Sequence, residues 1–185
     1  MTNPSEDGPS RGVLVATLVV AIGAVVAVVV AVAVLQHQAG RAPVPVAGLP
    51  APESESQSCR DLLAALPDQL GDHRRADLAE PAPPGAAAWQ RDDGGEPVIL
   101  RCGLARPAEF VVGAPLQMVD AVSWLRIGED GVTDSDGRTT WFTVDRPVYV
   151  ALTLPADSGP APIQELSAAI TASLPERPID PAPAR

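Results

Sequence analysis

Cys59 and Cys102 are the two cysteines of this chain; beyond the apolar segment such a pair is expected to form one disulfide, the alternative being two separate buried thiols. Closed, the bridge would enclose about 43 residues and contribute roughly 4 kcal/mol in the chain-entropy account. His73 stands in Asp72-His73-Arg74-Arg75, beside two guanidinium groups, a setting that could make a neutral imidazole base, although such a stretch is far more often a solvated surface patch. Arg101 interrupts the apolar run Val98-Ile99-Leu100-Arg101-Cys102. It could grip an anionic ligand such as a carboxylate with both edges of its fork, point to solvent, or pair with Asp61 or Asp145. Trp89, Trp124 and Trp141 could line a groove for a peptide or sugar, or fill the core. Arg101, Trp89 and His73 are therefore the candidate ligand-binding residues.

Other chemistry finds less support. Glu129, Asp130, Asp134 and Asp136 crowd the segment EDGVTDSDG, where carboxylates could hold Ca²⁺, but the EF-hand spacing fails and such residues are also ordinary in a strand connection. His37 and His73 are the only histidines, and neither stands at ligand spacing from a cysteine, so no metal site is expected. There is no G-x-S-x-G elbow, and S-x-x-K is impossible in a chain without lysine. P-loop and dinucleotide fingerprints are absent, so neither a cofactor nor a catalytic residue is expected.

These groups are positioned by a chain in two parts. Gly12–Leu35 is a run of 24 residues with no charge and a single hydroxyl, Thr17. As a helix it would be about 36 Å long, enough to cross a hydrocarbon core of about 30 Å with some tilt. Arg11 beside the helix predicts a cytoplasmic N-terminus and an extracytoplasmic C-terminal part, and the cysteine pair suits an oxidising compartment. A cleaved signal peptide is the competing reading; its apolar region is ordinarily about 7–15 residues, and QHQAGR offers a poor cleavage site. From Gln36 onward, 12 arginines face 21 acidic residues, a net charge of −9 that disfavours nucleic acid and anionic surfaces.

The proline- and alanine-rich segment 36–57 is expected to be a semi-rigid spacer reaching at most about 70 Å. A folded domain spans 58–174, and 175–185 is expected to be a disordered tail. Ser58 and Asp61 resemble a capping box opening a helix that runs to Leu66 and is broken by Pro67. Gly71 to Glu96 reads as a long loop with a short helix near Arg74–Leu78. Strands are expected at Val98–Cys102, Val122–Ile127, Thr139–Val144 and Val148–Leu154, the last two as a hairpin. Ile163, Leu166, Ile170 and Leu174 mark a final helix with Pro162 in its first turn. The expectation is an α+β fold: a transmembrane helix at 12–35 behind a tail at 1–11, then an antiparallel sheet of about four strands packed with two helices.

Ser58-Cys59 before LLAALPDQL, then Trp89, VILRCG with Arg106-Pro107, VDAVSWL, and Arg146 before YVALTLP together resemble the actinobacterial domain of unknown function 3515 family. The resemblance covers about Cys59 to Leu174, and its most specific element is the RCG tripeptide with its upstream cysteine. The family's tryptophan is followed closely by Gly and Pro, whereas here QRDDGGE separates Trp89 from Pro97, which looks like a local insertion. The resemblance implies a single-pass or exported protein of unknown function, hints at the cell envelope, and supplies no activity and no catalytic residue.

The expected function is thus a non-enzymatic, membrane-tethered extracytoplasmic module that binds an envelope protein or wall component. The rivals are an enzyme acting on wall precursors through His73 or the acidic segment, and a structural accessory subunit of a membrane complex.

Overall fold

The computed structural model describes residues 11–39, 42–127 and 137–184. The expectations for tail residues 1–10 and for Glu129, Asp130, Asp134 and Asp136 lie outside the described residues. Helix α1 spans Arg11–Ala39, and none of its apolar stretch Gly12–Leu35 is buried against the rest of the chain. A helix apolar on every side and packed on nothing is suited to an apolar medium, as an anchor or a signal sequence.

Helix α2 spans Gln57–Ala65 and is capped by Ser56, whose hydroxyl accepts a hydrogen bond from the Cys59 amide at 3.2 Å. The expected Ser58–Asp61 capping box is corrected: the cap lies two residues earlier, and Asp61 accepts instead from Gln57 at 2.6 Å. The helix stops because Pro67 disfavours helical backbone at Leu66, which has ψ 136°.

Eight strands follow: β1 Gln69–Leu70, β2 His73–Ala76, β3 Ala86–Arg91, β4 Val98–Leu104, β5 Leu116–Val119, β6 Val122–Ile127, β7 Thr139–Thr143 and β8 Tyr149–Leu154. Helix α3, Ala161–Ser173, closes the order, with proline in its first turn as expected. The strands form one antiparallel sheet in the order β1-β2-β3-β4-β8-β7-β6-β5. The β7–β8 hairpin pairs Thr140 with Thr153 and Phe142 with Ala151. The α+β class and antiparallel pairing hold, but the sheet has eight strands where about four were expected. The expected loop over 71–96 contains β2 and β3, and the short helix near Arg74 is a strand. HRRA and AAAWQR carry no β-branched residue; their strands exist because buried His73 and Trp89 anchor them to the core.

The two faces of the sheet differ. One carries Trp89, Val98, Leu100, Cys102, Trp124, Val150 and Leu152, and is covered by Leu62 of α2 and Leu166 and Ile170 of α3. Side chains alternate along a strand, so Ile99 and Arg101 project to the other face. There a smaller cluster of Phe110, Leu125 and Val144 is joined by Phe142 and Tyr149.

Two segments expected to be free of the domain are stitched to it. Val44, 2% exposed, receives its place from a bridge to Leu78: its amide donates to Asp77 O at 2.8 Å and its carbonyl accepts from the Ala79 amide at 2.9 Å. The Glu53 amide donates to Gly103 O at 3.0 Å. The spacer is thus corrected to a strap lying on the sheet, because its backbone groups find partners there. At the other end, the Val112 amide donates to Ala182 O at 2.8 Å and the Ala182 amide donates to Phe110 O at 2.9 Å. The expected disordered tail is therefore docked.

Candidate functional site

Cys59 is the third residue of α2, and its side chain shares the inner face of that helix with Leu62. Cys102 alternates onto the helix-covered face of β4. Their Cα atoms lie 5.6 Å apart, and they form a disulfide whose two residues are both 0% exposed. The bridge is part of the core and fastens α2 to the centre of the sheet.

Register then decides which candidate residues can meet. Trp89 pairs with Val98 and faces the helices; it is fully buried, and its indole N–H donates to Pro67 O at 2.9 Å. Arg75, opposite Trp89 on β2, stacks over the ring at 4.8 Å. Burial pulls the Arg75 guanidinium below its ordinary pKa, opposed by the charge of Asp68. His73 pairs with Arg91 and is 1% exposed. Its Nδ1 lies 2.8 Å from Asp72 Oδ1, within ion-pair range but out of line for a hydrogen bond. The imidazole is therefore enclosed by the fold and not presented to a substrate. Trp124 is fully buried as well, with its indole N–H donating to Ser167 Oγ at 3.0 Å. Trp141 is partly buried and lies against the same core.

Arg101 stands on the other face. Its cross-strand partners are Ala86 on β3 and Ala151 on β8, so small side chains flank it on both sides. The acids considered as partners are used elsewhere: Asp61 on α2, and Asp145 in an ion pair with Arg146 at 3.0 Å, where both side chains are almost fully buried. Arg101 Nε is buried without a hydrogen-bond partner among the described residues. Burial pulls the guanidinium below its ordinary pKa, and the nearby charge of Arg138 adds to this. The three-residue cleft of Arg101, Trp89 and His73 does not form, because the sheet separates Arg101 from the other two.

Arg101 has neighbours that sequence reasoning missed. Arg138, just before β7, contacts Glu96 at 3.3 Å. Thr140 and Thr153 face each other across β7 and β8 with hydroxyls 3.2 Å apart. A cavity of 280 Å³ opens where Ile99, Gln90, Glu96 and Arg138 meet the strap residues Ala42, Pro43, Val44 and Pro45. Arg138 carried a usable signal, a cation two residues ahead of Thr140 in an alternating strand. Glu96 and the strap carried none. This face offers a half-buried cation, hydroxyl groups and a small apolar floor, an arrangement that can hold an anion. Among the described residues, no three His, Cys, Asp or Glu side chains converge to hold a metal ion.

No curated protein and no solved structure matches the chain. Residues 18–179 match the family described as Protein of unknown function (DUF3515), which covers most of the 185 residues, and the chain belongs to that family.

Proposed function

We propose that this protein is a membrane-tethered extracytoplasmic binding module of the actinobacterial cell envelope, with its ligand-reading surface on the sheet face around Arg101. The observation that carries the reading is the fully buried Cys59–Cys102 disulfide. A bridge built into a core forms and persists in an oxidising compartment and is rare in the cytosol. The unpacked apolar stretch of α1 supplies the tether. Binding is favoured over catalysis by the enclosure of His73, one of the two groups the enzymatic rival could use, and by a half-buried arginine on the sheet face away from the helices.

Alkaline phosphatase, active only outside the cytosol, fused after Arg185 tests the orientation, and alkylation of the unreduced full chain tests the thiols. The expected outcome is an active fusion and no alkylated cysteine. An inactive fusion with both thiols modified overturns the reading.

A further inference from the structure

The strap fixes how far the domain can stand from the tether. Helix α1 ends at Ala39 and Val44 is already clamped between Asp77 and Ala79. Five residues of fully extended chain span about 18 Å. The helical residues between Leu35 and Ala39 add about 6 Å. A domain of this size has a diameter of roughly 35–40 Å. If α1 spans a membrane, Val44 and the cavity wall formed by Ala42–Pro45 are held closer to the head groups than the domain is wide. The expected spacer of about 70 Å would have lifted them clear.

Arg101 lies on the same sheet face as this cavity without lining it. Ile99 lines the cavity, and Arg101 follows it on the same face of β4, about 7 Å further along the strand. In a domain rich in carboxylates, an arginine whose buried Nε has no hydrogen-bond partner among the described residues calls for an explanation, since burying an unpaired donor is costly. The net charge of −9 keeps anionic macromolecules away from the domain as a whole. A single anionic group held beside the site by the tether is different: its local concentration is set by the membrane, not by the bulk.

We infer that the Arg101 face, with Arg138 and the Thr140–Thr153 hydroxyl pair beside the strap, binds the phosphate of an anionic membrane-lipid head group. This rests on the tethered-module reading above and gives that module a ligand class. With its Nε enclosed, Arg101 offers its two terminal nitrogens to phosphate oxygens, and its cross-strand neighbours Ala86 and Ala151 are small.

The test uses the full chain, purified from membranes in detergent, offered phosphatidylglycerol or phosphatidylcholine, with bound lipid counted by native mass spectrometry. The expected result is retention of phosphatidylglycerol over phosphatidylcholine, a loss of about tenfold or more in affinity with Arg101→Gln, and partial rescue by Arg101→Lys. Ala86→Asp sets a carboxylate directly across the ladder from Arg101 and should abolish retention too, which keeps the test alive if Arg101→Gln does not fold. Equal retention by wild type and both variants overturns the inference. So does full displacement of the lipid by millimolar inorganic phosphate, which would mark a site for free anions. A chain recovered from the soluble fraction of cells overturns the tether and this inference together. A membrane-bound chain that retains no lipid overturns this inference alone.

Discussion

Gly103 lies flat against the backbone of Ser54: a Cβ at Gly103 would overlap the Ser54 amide nitrogen and the Glu53 carbonyl group, and its φ of +83° suits glycine. The residue sits at the bulge where the β4–β8 register shifts between Cys102 and Leu104. Its carbonyl accepts from the Glu53 amide at 3.0 Å. The RCG tripeptide therefore has three separate jobs. Arg101 projects to the sheet face away from the helices, Cys102 bridges to α2 through the core, and Gly103 receives the strap.

Gly103→Ala should destabilise the folded domain by about 3 kcal/mol, through both backbone strain and displacement of the strap. Gly113→Ala is the control: its φ is +88° but nothing lies within 4 Å, so only the strain of about 1 kcal/mol should appear. Urea unfolding of the full chain in detergent reads the difference. Equal losses for the two variants would mean that the strap does not press on Gly103.

Ser167 and Trp124 hold α3 to β6 through a single buried hydrogen bond of 3.0 Å. Ser167→Ala leaves the indole N–H buried and unpaired, so a loss of about 1–3 kcal/mol is expected. Adding Trp124→Phe removes the stranded donor, and the double variant should lose less than the sum of the two single ones. A double-mutant cycle on unfolding free energies measures this coupling; additive losses would show that the bond contributes nothing of its own.

How much of this was legible in the sequence depends on where the pattern came from. The β7–β8 hairpin was readable because Thr140, Phe142 and Val144, and Val150, Leu152 and Leu154, alternate at a period of two. Helix α3 was readable from Ile163, Leu166 and Ile170. The strands β2 and β3 were not, because Ala86-Ala87-Ala88 has no β-branched signature and fits a helix or loop as well. Their pairing comes from long-range burial of Trp89, which no local window contains. The strap was hidden for a similar reason: Val44 is one apolar residue between prolines, and its two ladder bonds go to residues more than thirty positions away. The candidate site failed as a trio because the faces of β3 and β4 follow from the Trp89–Val98 register, a pairing the sequence does not state.

Asp93 should respond to acid differently from a free carboxylate. Arg91 donates to it from Nε at 3.1 Å and from a terminal nitrogen at 3.4 Å. That hydrogen bonding, helped by the guanidinium charge and opposed by partial desolvation, holds the Asp93 pKa below the ordinary carboxylate range. A depressed folded-state pKa gives a contribution that is present above the unfolded pKa and lost as pH falls through the folded one. Arg91→Gln should return the Asp93 titration to the ordinary range, as followed by side-chain carboxyl NMR. An unchanged midpoint would rule out Arg91 as the cause.

The tail should act through its backbone, not through its side chains. Ile179 is 49% exposed, whereas the Val112 and Ala182 amides both donate across the contact, the latter to the carbonyl of buried Phe110. Arg106 adds an ion pair to Asp180 at 2.7 Å, but both side chains are solvated and such pairs contribute little. Deleting residues 176–185 should therefore accelerate hydrogen exchange at Val112 by at least about tenfold, at a cost of about 1–2 kcal/mol. Ile179→Ala and Asp180→Asn should leave the Val112 amide nearly as protected as before. If either point substitution matches the deletion, a side chain holds the tail in place and the backbone bridge is secondary.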